Sequence, residues 1–143
     1  MAENILRGGW NKVEFDDEGG DFTSPAVTME RLYGEVEFNI EDLEQAMADG
    51  TVAQAGVRVT ATVRSADINP SNYAAIISAT EGLDKMDVRF YSIKSENNYV
   101  EINGCSVRYG LELGAAGDFS RARVIINGFA HNIDDLLDVE LGS

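Results

Sequence analysis

"GVRVTATVRSADINPSNYAAIISATEG", Gly56 to Gly82, decides the fold. Val57, Val59, Ala61 and Val63 alternate with Arg58, Thr60, Thr62 and Arg64, the period of two that marks a strand with one apolar and one basic, polar face. Asn69 is a good helix N-cap and Pro70 suits the first helical position, where a missing N–H costs nothing. Tyr73, Ile76 and Ile77 space a buried stripe and Gly82 supplies a stop, so a helix is expected over about 70–81. The stretch contains no His and no Cys.

Downstream the pattern is strand after strand. "MDVRFYSI" leads to turn residues Asn97-Asn98, then "YVEI", then Asn103-Gly104, a hairpin signal with "CSVRYGLELG" returning. Gly114 to Gly117 reads as a loop, "FSRARVII" as a strand, and Asn127-Gly128 as a turn or bulge. The closing "FAHNIDDLLDVELGS" reads as a last strand or an acidic tail, residues 132–143.

Upstream, Trp10, Val13 and Phe15 read as a strand after a bend or bulge at Gly8-Gly9, and an acidic loop follows near 16–21. Val27 and Met29 share one parity, and Val36, Phe38 and Ile40 alternate with Glu35, Glu37 and Asn39 as a half-buried strand with an acidic outer face. In "EDLEQAMADG", Leu43, Ala46 and Met47 fall at helical spacing before Gly50, too briefly to decide between a short helix and a long loop near 41–56. The expected architecture is a single domain, 1–143, mainly β: an antiparallel β-sandwich or barrel with one flanking α-helix.

The net charge of −14 comes from 25 acids and 11 bases, unevenly placed. Residues 1–55 hold 13 acids and 3 bases, 56–130 hold 8 of each, and 131–143 hold 4 acids and no base. Gripping nucleic acid through phosphate needs clustered Lys and Arg, and no basic stripe is visible; an acidic surface instead repels a polyanion and lets it pass. No apolar run reaches the roughly 18 residues of a membrane span, and "MAENILRGGW" lacks the pattern of a secretory signal.

Catalysis finds little support. Cys105 and His131 are the only residues of their kinds, which excludes an intrachain disulfide and the common Cys/His zinc sites and leaves an intermolecular disulfide open. Cys105 reads as a small half-buried strand residue and His131 as a surface or turn residue. "DDEGGDF" fails the calcium-loop spacing, and the glycines of "GCSVRYG" and "LGAAGDF" do not join a strand to a helix as a nucleotide cradle requires. Most acids alternate along outward strand faces, and the scattered aromatics read mostly as core. No catalytic residue, metal or cofactor is expected.

Residues from about 25 to 130 resemble the tail tube proteins of tailed bacteriophages and related contractile particles. The resemblance rests on the order of "VTMERLYGEVEFNIED", "LEQAMADGTVAQAG", "VRVTATVRSADINPSNYAAIISATEG" and the strands ending in "RVIINGFA". It implies a virion structural protein made in a host cytoplasm, a homo-oligomeric ring, usually sixfold, stacked into a tube that contacts other tail proteins and conducts DNA during ejection. It implies that the loop in 41–56 orders on the next ring. Glu35, Glu37, Glu101 and Glu112 are then candidates for an acidic lumen, and Arg58 and Arg64 for contacts between subunits. Other β-type virion parts (capsid decoration, tail terminator, baseplate) and a small acidic binding module are the alternative readings.

Overall fold

The computed structural model describes residues 10–30, 32, 36–66, 70–82, 84–92, 98–117 and 120–141. In chain order these form β1 (Trp10–Asp17), β2 (Val27–Glu30), β3 (Glu37–Ala46), β4 (Val52–Ser65), α1 (Pro70–Glu81), β5 (Met86–Ser92), β6 (Asn98–Glu112), β7 (Arg121–Ala130), α2 (Ile133–Leu136) and β8 (Leu137–Leu141). The strands make one open antiparallel sheet in the order β2-β1-β5-β6-β7-β4-β3, with β8 also on β6. No described helix is long and apolar enough to cross a membrane.

Strand β6 organises the sheet. Its first half lies between β5 and β8, as in Val100 opposite Phe90 and Val139, and its second half pairs with β7 from Ser106 to Glu112. Between the halves, Gly104 adopts φ 63°, a conformation that favours glycine, and donates its N–H to Asp87 Oδ1 at 2.9 Å. Asn103-Gly104 is therefore a bulge within one strand and not a hairpin turn: the left-handed residue is spent on moving β6 from one set of partners to another. The two halves of the sheet face each other across a common core that includes Val13, Phe15, Val59, Val63, Phe90, Ile102 and Ile126.

The alternation at 57–63 holds. Val57, Val59, Ala61 and Val63 are buried while their neighbours point outward. The sheet is not closed into a barrel among the described residues: Leu32 and Ser65 make one isolated bridge, backed by a hydrogen bond from Ser65 Oγ to the Glu30 carbonyl, and no described ladder joins the ends of the sheet.

Helix α1 occupies the expected span, while its proposed N-cap Asn69 lies outside the described residues, as do Gly8-Gly9 and Asn97. Its buried face differs from the expected stripe. Ile76 and Ala79 are buried, Ile77 is half-buried, and Tyr73 is exposed, edge-on to Tyr109 at 4.7 Å. The helix shields the edge of β6 that has no strand beside it, with Thr80 Oγ1 donating to the Val107 carbonyl at 2.6 Å, and Asn72 Nδ2 ties it to the Thr28 carbonyl of β2 at 2.9 Å.

Three segments read as loop or tail are regular structure. Residues 41–56 form the far part of the β3–β4 hairpin, turned at Met47–Thr51; the helical spacing of three apolar residues yields to continuous cross-strand pairing. Asp16 and Asp17 end β1, and only the residues after them form a loop. The acidic C-terminal segment is α2 followed by β8, anchored by the buried Leu136. Gly128 sits inside β7 because a Cβ there would come within 2.7 Å of Leu136 Cδ1; close approach explains this glycine, and no turn is involved.

Candidate functional site

The two halves of the sheet present different outer faces. On the β1-β5-β6 side, the loop after β1 folds back over the outward side chains. Asp87 is 5% exposed and its carboxylate accepts N–H bonds from Gly19 and Gly104, each 2.9 Å, while Asp16 Oδ2 accepts from Phe22 N at 3.0 Å. Phe22 itself is buried at φ 61°, a strained conformation held by this anchoring. Its ring stacks on the Arg89 guanidinium at 4.2 Å, with Tyr99 at 4.3 Å.

Arg89 Nε donates to Glu101 Oε1 at 2.5 Å. Burial is the largest single influence and opposes the arginine's charge, but hydrogen bonds to Glu101 and Tyr91 and the charge of Glu101 together outweigh it, so its pKa is raised. Glu101, expected as a lumen acid, is thus half-buried and neutralised. In the acidic segment Asp16 and Asp21 spend carboxylate oxygens on backbone amides; among the described residues no cluster of three or more His, Cys, Asp or Glu is placed to hold a metal.

None of the described loops folds over the β6-β7-β4-β3 half, and its outer face gathers arginines. Arg58 and Arg64 come from β4, Arg121 and Arg123 from β7, and Arg108 from β6, all in register with the outward parity. Glu37 and Glu112 converge on Arg64: Nη1 donates to Glu37 Oε1 at 2.9 Å and Nε to Glu112 Oε1 at 2.8 Å, which raises the arginine's pKa. Arg58 lies 4.0 Å from Glu41, an exposed and weak pair. Arg64 stands directly opposite Arg123 on β7, and Gly110 on β6 leaves room for the Arg123 guanidinium, whose Nη2 would be 3.3 Å from a Cβ there. Arg123 Nε is buried without a hydrogen-bond partner.

Beside this face runs a groove of about 340 Å³ lined by Lys85, Ser106, Arg108, Asn127 and Phe129, among others. The structure thus brings Glu37, Glu112 and Arg64 together, leaves Arg58 nearby, and puts Glu101 on the other half; Glu35 lies outside the described residues.

The third feature is the β3–β4 arm. Every position of β3 except Leu43 is exposed, so Phe38 (39%) and Ile40 (45%) form no half-buried strand face. Alternation is present without burial because β3 is an edge strand and none of the described residues covers it. At the root of the arm, an apolar seam of about 270 Å³ opens between the halves, lined by Trp10, Phe38, Phe90, Val100, Leu137 and Val139 among others.

Catalytic pairing finds no geometry. Cys105 is fully buried, donates its thiol to the Ile102 carbonyl at 3.4 Å, and burial pushes its pKa up to about 12. It is inaccessible to an intermolecular disulfide in this fold. His131 is exposed beyond β7, its ring 5.7 Å from that of Phe129, itself one of several exposed aromatics. Sequence reading missed Arg108, Arg121 and Arg123 as a group: "VR" at 107–108 and "RAR" at 121–123 carry the parity, but only strand register puts them beside Arg58 and Arg64.

No protein-family model matches the chain, and no curated protein matches it. Among solved structures it is similar to a chain from the tail of an empty GTA particle of C6 symmetry, with 10% identity, a TM-score of 0.49, and coverage of 89% of this chain and 99% of that one. It is also similar to a tryptophan double mutant of the Hcp1 protein from E. coli EAEC 042, with 12% identity, a TM-score of 0.43, and coverage of 91% and 96%.

Proposed function

We propose that this chain is a tail tube subunit: a virion structural protein that closes into rings, sixfold in the first instance, stacked into a tube through which DNA passes during ejection. The observation that carries the reading is β3, a ten-residue strand exposed along nearly its whole length at an unpaired sheet edge. A hairpin without a buried face is marginal in water, because little offsets the entropy of ordering it. Contact with neighbouring copies supplies the missing burial, and the apolar seam at the root of the arm has the same need.

The arm is also acidic. Glu37, Glu41, Asp42, Glu44 and Asp49 accompany the single base Arg58 along residues 37–58. On this reading the arm lines the tube and reaches the next ring, its carboxylates repelling the duplex so that DNA does not adhere. Glu37, with Glu112 beside it, belongs to that wall, and Glu35 is assigned to it from sequence alternation alone; Glu101, held by Arg89 on the other half, does not belong. Arg64 organises its own subunit by joining Glu37 to Glu112, and Arg58 faces the neighbouring copy. Residues 1–143 act as one domain, assembled in the host cytoplasm into the virion tail alongside other tail proteins.

Negative-stain microscopy of the purified full chain tests the proposal. Rings with a duplex-wide hole, or tubes, are expected. A chain that remains monomeric at every concentration and salt contradicts it.

A further inference from the structure

The β3–β4 and β6–β7 hairpins turn at opposite ends of the same half of the sheet. β4 runs away from the arm tip, β7 returns antiparallel to it, and β6 is antiparallel to β7, so the turn after Glu112 lies beyond Ser65 while the arm tip lies beyond Val52. The 14 residues of β4, at about 3.3 Å each, set the two turns roughly 45 Å apart along the strand. One subunit therefore presents a turn at each end and cannot bring them together.

Both turns hold an apolar side chain in the open. At the arm tip, Met47 donates its N–H to the Thr51 carbonyl at 2.8 Å, Gly50 at φ 88° donates to the Met47 carbonyl at 3.1 Å, and Asp49 Oδ1 accepts from Thr51 N and Oγ1 at 3.0 and 2.6 Å. Met47 nevertheless stays 49% exposed. At the other end, Gly114 donates its N–H to Ser120 Oγ at 3.0 Å, Gly117 turns at φ 89°, and Leu113 stands 78% exposed beyond Leu111 at 50%. Turns already fixed by their own hydrogen bonds lose little further freedom on docking.

Charge selects the pairing. Glu44 and Asp49 flank Met47, so two arm tips brought together would set carboxylates against carboxylates. Residues 113–117 carry no charge and receive an acidic tip without that repulsion. Of the acids on either side of them, Glu112 is held by Arg64, and Asp118 lies outside the described residues. Two 113–117 turns set against each other would leave both arms uncovered at the far ends.

We infer that Met47 at the arm tip of one subunit docks against Leu111 and Leu113 at the β6–β7 turn of a second copy in the next ring, an inference that rests on the tube reading above and names the arm's partner. The two patches differ and lie at opposite ends of the subunit, so the contact repeats along an axis without closing, as a stack requires. Methionine, unbranched and polarizable, adapts to an irregular apolar surface such as a pair of leucines.

The test is a disulfide across that contact. The full chain carrying both Met47→Cys and Leu113→Cys, assembled, mildly oxidised and alkylated before denaturation, is expected to give a ladder of covalent oligomers on a non-reducing gel. Reductant collapses the ladder to monomer, and Cys105, being buried, takes no part. Each single variant is expected to stay monomeric on the same gel. Leu113→Asp, at a position too exposed to alter the fold, is expected to leave single rings intact and to lower tube formation by roughly tenfold or more, the scale of one lost leucine contact. Tubes of the double variant that give no ladder overturn the inference while leaving the tube reading in place. So does a ladder formed by Met47→Cys with Val139→Cys at the apolar seam and not with Leu113→Cys. A Leu113→Asp chain that loses its rings together with its tubes also overturns it, because Leu113 would then lie between neighbours of one ring. A parent chain that never self-associates overturns both.

Discussion

Arg64 of β4 and Glu112 of β6 meet at 2.8 Å across the intervening strand β7. The same guanidinium holds Glu37 of β3 at 2.9 Å, so one side chain of β4 ties β3 and β6 across the outer face of this half of the sheet. Glu112 keeps about a third of its side chain exposed, which limits the strength of the tie through solvent screening. A double-mutant cycle with R64A and E112A, read by urea denaturation, is expected to give a coupling of about 0.5–1 kcal/mol that shrinks in high salt. Zero coupling at low salt would show that the bridge is not populated in solution.

Asp87 has a heavier task. Its carboxylate alone satisfies two backbone N–H groups, one in the loop after β1 and one in the β6 bulge. Hydrogen bonds to a charged group contribute roughly 1.5–3 kcal/mol each, so Asp87→Ala is expected to cost about 3 kcal/mol and to loosen residues 18–22 before the rest of the fold. Hydrogen exchange at Gly19 and Gly104 reads this directly; unchanged protection at both would refute the anchoring role.

Arg89 is placed by shape as well as charge. Stacked between Phe22 and Tyr99 and bonded to Glu101 through Nε, it uses the planar guanidinium that a lysine lacks. Arg89→Lys is expected to destabilise by about 1–3 kcal/mol despite conserving charge, with increased mobility of the loop carrying Phe22. A variant as stable as the parent in thermal melts would show that charge alone suffices.

Alkaline pH supplies a different check. Burial raises Cys105 from 9.0 and Tyr91 from 10.0, each to about 12. Both groups ionise more readily in the unfolded chain. Their contribution to stability is therefore complete below pH 9 and is lost as pH climbs toward 12, with the unfolded state gaining about 1.4 kcal/mol per unit of separation for each group. Urea midpoints should fall across this window, less steeply in Cys105→Ala at matched reference stability. Rapid thiol labelling of the native protein at pH 8 would contradict the burial on which this rests.

Packing around the C-terminal turn is equally exposed to test. Leu136 is 1% exposed and presses on Gly128, where a Cβ would stand 2.7 Å from Leu136 Cδ1 and 3.2 Å from Ile102 Cγ2. Gly128→Ala is expected to cost about 1–3 kcal/mol through overpacking, and Leu136→Ala about 2–5 kcal/mol through the cavity it leaves. If α2 and β8 were a loose tail, neither change would move the unfolding midpoint.

Local patterning foretold the parts of this fold that depend on local physics. Val57 to Val63 alternate because one face of β4 is buried, and Pro70 begins α1 where its missing N–H is harmless. Signals with two physical uses misled. Asn103-Gly104 supplies a left-handed residue to a bulge as readily as to a turn, and Gly128 marks the approach of Leu136, which sequence spacing does not reveal. Phe38 and Ile40 alternate as a buried strand would, yet burial is a property of what lies opposite, and among the described residues too little lies there to cover them: Phe38 meets Phe90 only across an open seam. The arginine face is the clearest case: five side chains from three strands converge through register alone, and register is decided by long-range pairing.

The central claim is that the exposed β3–β4 arm exists to be covered by other copies of the chain. Sedimentation velocity over a wide concentration range, comparing the full chain with one whose residues 41–54 are replaced by a short turn, tests it most directly. The account predicts that the parent chain assembles into rings or tubes, whereas the shortened chain folds with an unchanged core and stays at or below a single ring. A shortened chain that builds tubes as the parent does, or a parent that remains monomeric throughout, would contradict it.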